Sequence, residues 1–110
     1  MRQRHASVIR LRPEHEAEYR RLHAEVWPAV LRQIRASNIR NYSIFLREPE
    51  MLLFAYFEYI GEDFDADQAA MAADPVTQEW WQITMPLQTP LETRDEGAWW
   101  ASTVEVFHID

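Results

Sequence analysis

The chain has 110 residues, of which 47% are hydrophobic and 13% aromatic, a composition that fits one folded domain over residues 1–110. Its 11 arginines, with no lysine, against 18 aspartates and glutamates give a net charge of −7, which disfavours nucleic acid as a partner. There is no cysteine, so disulfides, thiolate catalysis and cysteine metal sites are excluded.

Signals for targeting, nucleotide binding and metal binding are missing from the sequence. No N-terminal apolar run resembles a signal peptide, and the longest apolar stretch, around Met51–Tyr59, is too short to span a bilayer. We therefore expect a soluble, cytoplasmic protein with no membrane partner. There is no GxGxxG or GxxxxGK motif, and the histidines show no HxH or HExxH spacing, so neither a nucleotide cofactor nor a metal ion is predicted.

Hydrophobic patterning and turn residues predict alternating strands and helices. Pro28 and Pro75 suit the first turn of a helix, and Asp74 suits the N-cap of the second of these helices. In chain order the predicted elements are a strand over Gln3–Leu11, a helix over Glu14–Val26, a helix from Pro28 to about Ala36, strands over Ile39–Leu46 and Met51–Ile60, helices over Asp63–Ala73 and from Pro75 to about Met85, and a strand over Ser102–Ile109.

This order predicts the ferredoxin-like split βαβ pattern, an α+β fold in which helices cover one face of an antiparallel sheet. The stretch Met51–Tyr59 is apolar on both faces, so the open face of the sheet would also carry large apolar side chains. Exposed apolar surface of that extent usually means a partner. Two such sheets packed face to face give a dimeric α+β barrel, and we expect a homodimer.

Tyr19 and His23 are the first candidates for chemistry. They lie four residues apart on a predicted helix and therefore project to the same side. Histidine is the side chain whose ordinary pKa best suits proton transfer near neutral pH. The spacing alone also allows the alternative that Tyr19 packs in the core while His23 lies on the surface.

Two tryptophan pairs are the second unusual feature. Indole rings offer flat apolar surfaces to the C–H face of a sugar, and their N–H can bind a hydroxyl. Neighbouring helical residues diverge by about 100°, so one ring of the Trp80-Trp81 pair can pack inward while the other lines a cavity edge. Packing in the core or at an interface is the alternative. For Trp99 and Trp100 we expect interface or loop packing.

Polar side chains on predicted strands complete the candidates. Tyr42 shares a strand face with Ile44 and Leu46 by alternation, and its hydroxyl needs a partner if it is buried. Glu58 and Glu105 lie in apolar strands, where a carboxylate can serve in an acid/base pair or in an ion pair. The sequence does not decide between these two roles.

Five short motifs follow one another along nearly the whole chain. They are Tyr19-Arg20-Arg21-Leu22-His23, Trp27-Pro28, Asn41-Tyr42, Trp80-Trp81 and Glu105-Val106-Phe107. In this order they resemble the L-rhamnose mutarotases. The resemblance implies a dimeric α+β barrel that interconverts the α and β anomers of a free 6-deoxy-hexose monosaccharide without a cofactor.

The resemblance also implies roles for single residues. His23 matches the proton-donating histidine of the family, which would deliver a proton to the ring oxygen of the sugar. The general base is unassigned, with Glu105 or a bound water as candidates. The positions that match sugar-binding residues of the family are Tyr19, Tyr42, Trp80 and Trp81.

The sequence departs from the family pattern at two places. Ala24-Glu25-Val26 replaces the usual Asn-Pro-Ile, and the segment from Gln88 to Trp100 is longer and adds Trp99-Trp100. Divergent sequences of this kind are associated with L-fucose, so the resemblance implies either L-rhamnose or L-fucose as the sugar. The alternatives on the same dimeric barrel are a cofactor-independent monooxygenase or haem-degrading enzyme, a non-enzymatic ligand-binding module, and a structural dimer without a small ligand.

Overall fold

The structure is a computed structural model that describes residues 2–110. Every helix in this range is too short or too polar to traverse a lipid bilayer. The elements in chain order are β1 (Gln3–Leu11), a 3-10 turn (Pro13–His15), α1 (Glu16–Ala24), α2 (Pro28–Ala36), β2 (Ile39–Arg47), β3 (Leu52–Tyr59), α3 (Phe64–Ala73), α4 (Pro75–Thr84), a second 3-10 turn (Met85–Leu87), β4 (Gln88–Thr89) and β5 (Ala101–Ser102).

The strands form one antiparallel sheet in the order β2-β3-β1-β4. The long strands β1 and β3 pair from Gln3 opposite Tyr59 to Arg10 opposite Leu52. The short strands β4 and β5 each pair with two residues on the other edge of β1. Because a helix pair separates β1 from β2 and another separates β3 from β4, this is the predicted ferredoxin-like split βαβ arrangement of an α+β protein.

Alternation along the strands gives the sheet an inner face, which the helices cover, and an outer face. The inner face carries the hydrophobic core, in which Ile9, Leu11 and Leu53 are at most 2% exposed. Tyr19 of α1 and Leu87 of the second 3-10 turn pack against these side chains. The buried apolar side of each strand therefore faces the helices, which fixes the pairing register.

The outer face is built from the alternate residues of the same strands. Phe45 and Phe54 lie opposite each other on β2 and β3 and are 62% and 39% exposed. The prediction of large apolar side chains on the open face is therefore confirmed for these described residues.

Capping side chains fix where the last two helices begin. The Asp63 carboxylate accepts a hydrogen bond from the backbone N–H of Ala66, 3.1 Å away, at the start of α3. The Asp74 carboxylate accepts from the backbone N–H of Thr77 at 2.9 Å, and Pro75 occupies the first turn of α4. The N-cap predicted at Asp74 is thus confirmed.

The first helix is shorter than the predicted Glu14–Val26. Residues Pro13–His15 form a 3-10 turn, and α1 ends at Ala24. The backbone at Trp27 is extended, as expected for a residue that precedes proline, so the chain leaves the helix before Pro28 opens α2. The other predicted elements up to residue 84 match the structure to within one residue at either end.

A β-bulge interrupts the alternation in β2. The pairing register with β3 shifts between Arg40 and Ser43, and Asn41 has a φ of 50°. Asparagine tolerates this left-handed backbone conformation better than most residues. Because the bulge adds one residue, Ile39 and Tyr42 both point to the inner face although an odd number of positions separates them.

The predicted strand over Ser102–Ile109 is wrong beyond Ser102. Only Ala101–Ser102 pairs with β1, and residues 103–110 form no strand. The Thr103 hydroxyl donates to the Ala6 carbonyl at 2.6 Å and Glu105 pairs with Arg4, so these side chains hold the tail beside β1. Its alternating sequence is apolar enough for burial, but its apolar side chains are 76–94% exposed, namely Val104, Val106, Phe107 and Ile109.

Candidate functional site

A cavity of about 370 Å³ lies between the inner face of the sheet and the helices. This volume is near the lower end of the range of about 300–1,000 Å³ for small-molecule sites, so the cavity suits a small ligand. The structure brings all five site residues predicted from the sequence to its wall: Tyr19, His23, Tyr42, Trp80 and Trp81.

His23 is held in one tautomer by the backbone of its own helix. Its Nδ1 lies 2.8 Å from the carbonyl oxygen of Tyr19, and a carbonyl can only accept, so Nδ1 carries a proton. Nε2 has no hydrogen-bond partner within residues 2–110 and is not sealed from the surface. Burial lowers the pKa of His23, partly offset by the hydrogen bond to Tyr19. A neutral imidazole with a free lone pair on Nε2 therefore lines the cavity.

Aromatic contacts fix the orientation of the His23 ring. Tyr19 stacks on it with ring centroids 4.1 Å apart, and Trp80 contacts it edge-on at 5.4 Å. Trp27 in turn packs edge-on against Trp80 at 5.2 Å. The four-residue spacing of Tyr19 and His23 in the sequence therefore corresponds to direct contact between two rings.

The two tyrosines of the cavity differ in exposure but share a protonation state. Tyr19 is 5% exposed, whereas Tyr42 as a whole residue is 43% exposed and lines the cavity wall. Desolvation raises the pKa of both phenols, so each keeps its proton at neutral pH. As predicted, Tyr42 shares a strand face with Ile44 and Leu46 by alternation, and the bulge in β2 is the reason that this face is the inner one.

Both rings of the Trp80-Trp81 pair border the cavity. Trp80 is 6% exposed and packs inward, while Trp81 is partly exposed. Neither indole N–H has a hydrogen-bond acceptor within residues 2–110, and no buried polar side-chain atom there lacks a partner. Both N–H groups therefore reach accessible surface, where a ligand can accept from them.

Further polar groups in the wall were not identified from the sequence. Ser7, Gln68 and Thr84 line the cavity, and the described residues provide no partner for their side chains. A signal existed for Thr84, which lies four residues after Trp80 on α4 and so projects to the same side. Among the described residues, none of the lining side chains is an aspartate, glutamate, lysine or arginine. The cavity is therefore uncharged apart from the titration of His23.

Trp99 and Trp100 lie in the loop before β5, as predicted, but they also line the cavity. The indole Nε1–H of Trp99 donates to Oε1 of Gln88 at 2.8 Å. Gln88 begins the short strand β4, which lies outside the elements predicted from the sequence, and its Nε2 lies 3.2 Å from the hydroxyl of Tyr19. The longer segment noticed in the sequence thus contributes directly to the cavity wall.

The two carboxylates predicted to lie on strands, Glu58 and Glu105, are both away from the cavity. Glu58 pairs with Arg2, and hydrogen bonds from Asn41 and Tyr56 lower its pKa. Of the two roles left open by the sequence, the ion pair is the one the structure shows.

Glu105 has the same kind of environment as Glu58. Its Oε1 lies 2.7 Å from Nε of Arg4, and this hydrogen bond lowers its pKa. Glu105 does not line the cavity, so within this chain the suggestion that it is the general base is wrong. Elsewhere within residues 2–110, no three acidic or histidine side chains lie close enough together to hold a metal ion.

Comparison with known proteins identifies the family. A sequence model described as L-rhamnose mutarotase matches residues 4–109. Among curated relatives, the L-rhamnose mutarotase of Opitutus terrae is 36% identical over 107 residues, covering 97% of this chain and 98% of that protein. That of Bacillus subtilis is 32% identical over 108 residues, again covering 97% and 98%. The chain therefore belongs to the L-rhamnose mutarotase family.

A solved structure supports the fold. The crystal structure of an L-rhamnose mutarotase from Formosa agariphila superposes with a TM-score of 0.77 and covers 98% of this chain and 99% of that one. Sequence identity between the two is 20%, so this likeness bears on the fold alone.

Proposed function

We propose that this chain interconverts the α and β anomers of L-rhamnose without a cofactor, and that His23 carries the protons. The observation that carries the proposal is the free Nε2 of a neutral His23 at an uncharged cavity, in a chain that belongs to the L-rhamnose mutarotase family.

The reaction requires movement of protons at two oxygens bonded to the same carbon. The anomeric hydroxyl on C1 loses its proton, the bond between C1 and the ring oxygen breaks, and the ring oxygen gains a proton. The open-chain aldehyde rotates about the C1–C2 bond and closes on its other face by the reverse steps. A positioned acid and base each accelerate such a reaction by about 10²–10⁴-fold.

His23 can serve both steps in turn. Its neutral Nε2 accepts the proton of the anomeric hydroxyl, and the imidazolium then delivers a proton to the ring oxygen. The sequence resemblance implies a proton donor at this position, and the free lone pair supports an acceptor as the starting state. The lowered pKa of His23 supports the same order, because the neutral form dominates at pH 7.

The remaining wall suits a neutral monosaccharide. We propose that Trp80 and Trp81 hold the apolar face of the sugar and that Tyr19 and Tyr42 bind its oxygens. The free indole N–H groups and unpartnered hydroxyls of the cavity support this arrangement. A sugar without charge gains nothing from ion pairs, and the absence of charged side chains among the described lining residues agrees with such a ligand.

A second copy of the chain is the partner that we propose for the outer face. The carboxylates of Glu58 and Glu105 are already paired with arginines of the same chain, so neither needs a charged partner on another chain. Phe45 and Phe54 remain exposed on this face. The apolar side chains of residues 103–110, which follow β5, are exposed as well. A twofold interface places the same patch on both partners, and an apolar patch complements itself.

The proposal is tested by saturation-difference proton NMR of anomer exchange at equilibrium, with L-rhamnose and L-fucose in parallel samples. We expect faster exchange of L-rhamnose than in buffer alone, and D-glucose serves as a matched control sugar. Faster exchange of L-fucose alone would retain the mutarotase reaction and reassign the sugar. If neither deoxy sugar exchanges faster than in buffer, the proposed function is wrong.

A further inference from the structure

The side chain of Gln88 connects the long segment before β5 with the centre of the cavity. Gln88 is 4% exposed and its backbone pairs with Leu11 in β1, so its position is fixed by the sheet. Its amide oxygen and nitrogen face two different aromatic side chains, Trp99 and Tyr19. The direction of these two hydrogen bonds determines what Tyr19 can offer to a ligand.

Trp99 determines the orientation of the amide. An indole N–H can only donate, so the group facing Nε1 of Trp99 at 2.8 Å must be the oxygen of Gln88. The NH2 group of Gln88 therefore faces the hydroxyl of Tyr19 at 3.2 Å. The opposite orientation would place two donors against each other and leave the amide oxygen against the phenol.

Tyr19 is consequently the acceptor in its bond with Gln88. A phenol has one proton, and that proton is not used in this bond. No residue in the range 2–110 accepts a hydrogen bond from the Tyr19 hydroxyl. Because Tyr19 lines the cavity, its proton is available to a bound molecule.

The position of Tyr19 beside His23 indicates which atom it meets. The two rings stack with centroids 4.1 Å apart. The anomeric oxygen and the ring oxygen of a pyranose are bonded to the same carbon, so the groups that handle them must also lie side by side. With His23 at the anomeric hydroxyl, the Tyr19 hydroxyl is the neighbouring donor for the ring oxygen.

We propose that Gln88 and Trp99 are positioning residues that hold Tyr19 as a hydrogen-bond donor to the ring oxygen of the sugar. Negative charge develops on this oxygen as its bond to C1 breaks, and a fixed donor stabilises it. Tyr19 keeps its own proton, and His23 supplies the proton that the ring oxygen finally bears. This inference rests on the proposed mutarotase function and on the sugar occupying the cavity.

Gln88→Glu tests the inference because it changes the direction of one hydrogen bond with little change in shape. A carboxylate accepts from both Trp99 and Tyr19, so it takes the Tyr19 proton away from the sugar. We expect kcat for anomer exchange to fall by about 10²–10³-fold, the cost of losing one donor to a developing oxyanion, with a smaller change in KM. Tyr19→Phe is expected to show a similar loss.

The double variant Tyr19→Phe with Gln88→Glu distinguishes positioning from a separate role. If Gln88 acts through Tyr19, the double variant is no slower than Tyr19→Phe alone. Acidification adds a second signature, because a protonated Glu at position 88 can again donate to Tyr19. The rate of Gln88→Glu relative to the unmodified chain should therefore rise as pH falls.

Gln82→Glu is the matched control, since it makes the same chemical change at an exposed position of α4 outside the cavity. If Gln88→Glu does not fold, Trp99→Phe removes the N–H that orients the amide and should lower kcat by a smaller factor. Unchanged kcat in a folded Gln88→Glu, or multiplicative losses in the double variant, would overturn the inference. A lack of exchange in the unmodified chain would instead refute the proposed function.

Discussion

The two faces of the sheet differ in what they leave without contacts: polar groups on the inner face and apolar rings on the outer face. On the inner face, apolar side chains are packed, and the groups without partners are polar: His23 Nε2 and the N–H of Trp80 and Trp81. On the outer face, the carboxylates of Glu58 and Glu105 are paired with arginines, and the apolar rings of Phe45 and Phe54 remain exposed.

This contrast indicates what each face binds. Unpaired polar groups in an uncharged cavity lose water only when a ligand provides hydrogen bonds, so the inner face suits a small hydroxylated molecule. Exposed apolar rings beside internally paired charges gain most from burial against another protein surface, so the outer face suits a subunit. Substitutions that act on one face and spare the other can separate these two roles.

The largest effect is expected from His23→Asn. This change removes the free Nε2 while keeping a polar side chain, so the enzymatic acceleration of L-rhamnose exchange should fall by about 10²–10⁴-fold. Exchange NMR gives the rate. His15→Asn is the matched control, since His15 precedes the same helix but does not line the cavity. Equal rates in the two variants would contradict the assignment of His23.

On the outer face, Phe45→Glu should dissociate the proposed dimer. A charge buried without a partner at an interface costs on the order of 3 kcal/mol, about a hundredfold in Kd. Sedimentation equilibrium measures this constant. Leu31→Glu is the control, because Leu31 is 53% exposed on α2, among the helices rather than on the outer face. A monomeric unmodified chain, or equal dissociation in both variants, would refute the interface.

A smaller effect is expected from Trp81→Ala, which removes one ring from the cavity wall and should lower the affinity for L-rhamnose. Loss of the stacking surface should weaken L-rhamnose binding by about tenfold, equivalent to about 1.4 kcal/mol. Titration calorimetry measures the affinity. Trp80→Phe keeps a ring and removes only the N–H, so its effect should be smaller. Unchanged affinity in Trp81→Ala would exclude its proposed contact with the sugar.

The smallest change in the enzymatic rate is expected when the pH is lowered from 7 to 6. Burial lowers the pKa of His23, so the neutral, proton-accepting form dominates above its ordinary pKa of about 6.5. The enzymatic rate should therefore be level near pH 7 and should decline only as pH falls below that ordinary value. A rate that rises on acidification would instead indicate that the protonated form starts the reaction. Buffer-only exchange at each pH provides the baseline.

The sequence predicted much of the fold because its signals are local. β-Branched and apolar residues before Pro13 defined β1 to within a residue, and Asp74 followed by Pro75 marked the start of α4. The order of elements then led to the split βαβ arrangement. The strand predicted beyond Ser102 is wrong because alternation reports only which side chains suit burial. A strand also needs backbone hydrogen bonds to a neighbour, whereas Thr103 and Glu105 contact β1 through their side chains.

The site was predicted in part. Helical spacing brought Tyr19 and His23 together, and the family motifs added Tyr42 and the Trp80-Trp81 pair, which the structure gathers in one cavity. The contribution of Gln88 was missed because its contacts to Tyr19 and Trp99 join residues 69 and 11 positions apart. No period or spacing rule covers a glutamine that bridges two aromatic side chains in this way.

The bulge at Asn41 has a consequence for how this protein can change during evolution. In a strand, one added residue turns every side chain that follows it to the opposite face of the sheet. Without the left-handed step at Asn41, continuous alternation from Ile39 would turn Tyr42 and Ile44 outward and bring Phe45 inward. A change at this position would thus exchange the residues that line the cavity with those of the exposed outer face, so insertions or deletions within β2 should be far less acceptable than in the neighbouring turn.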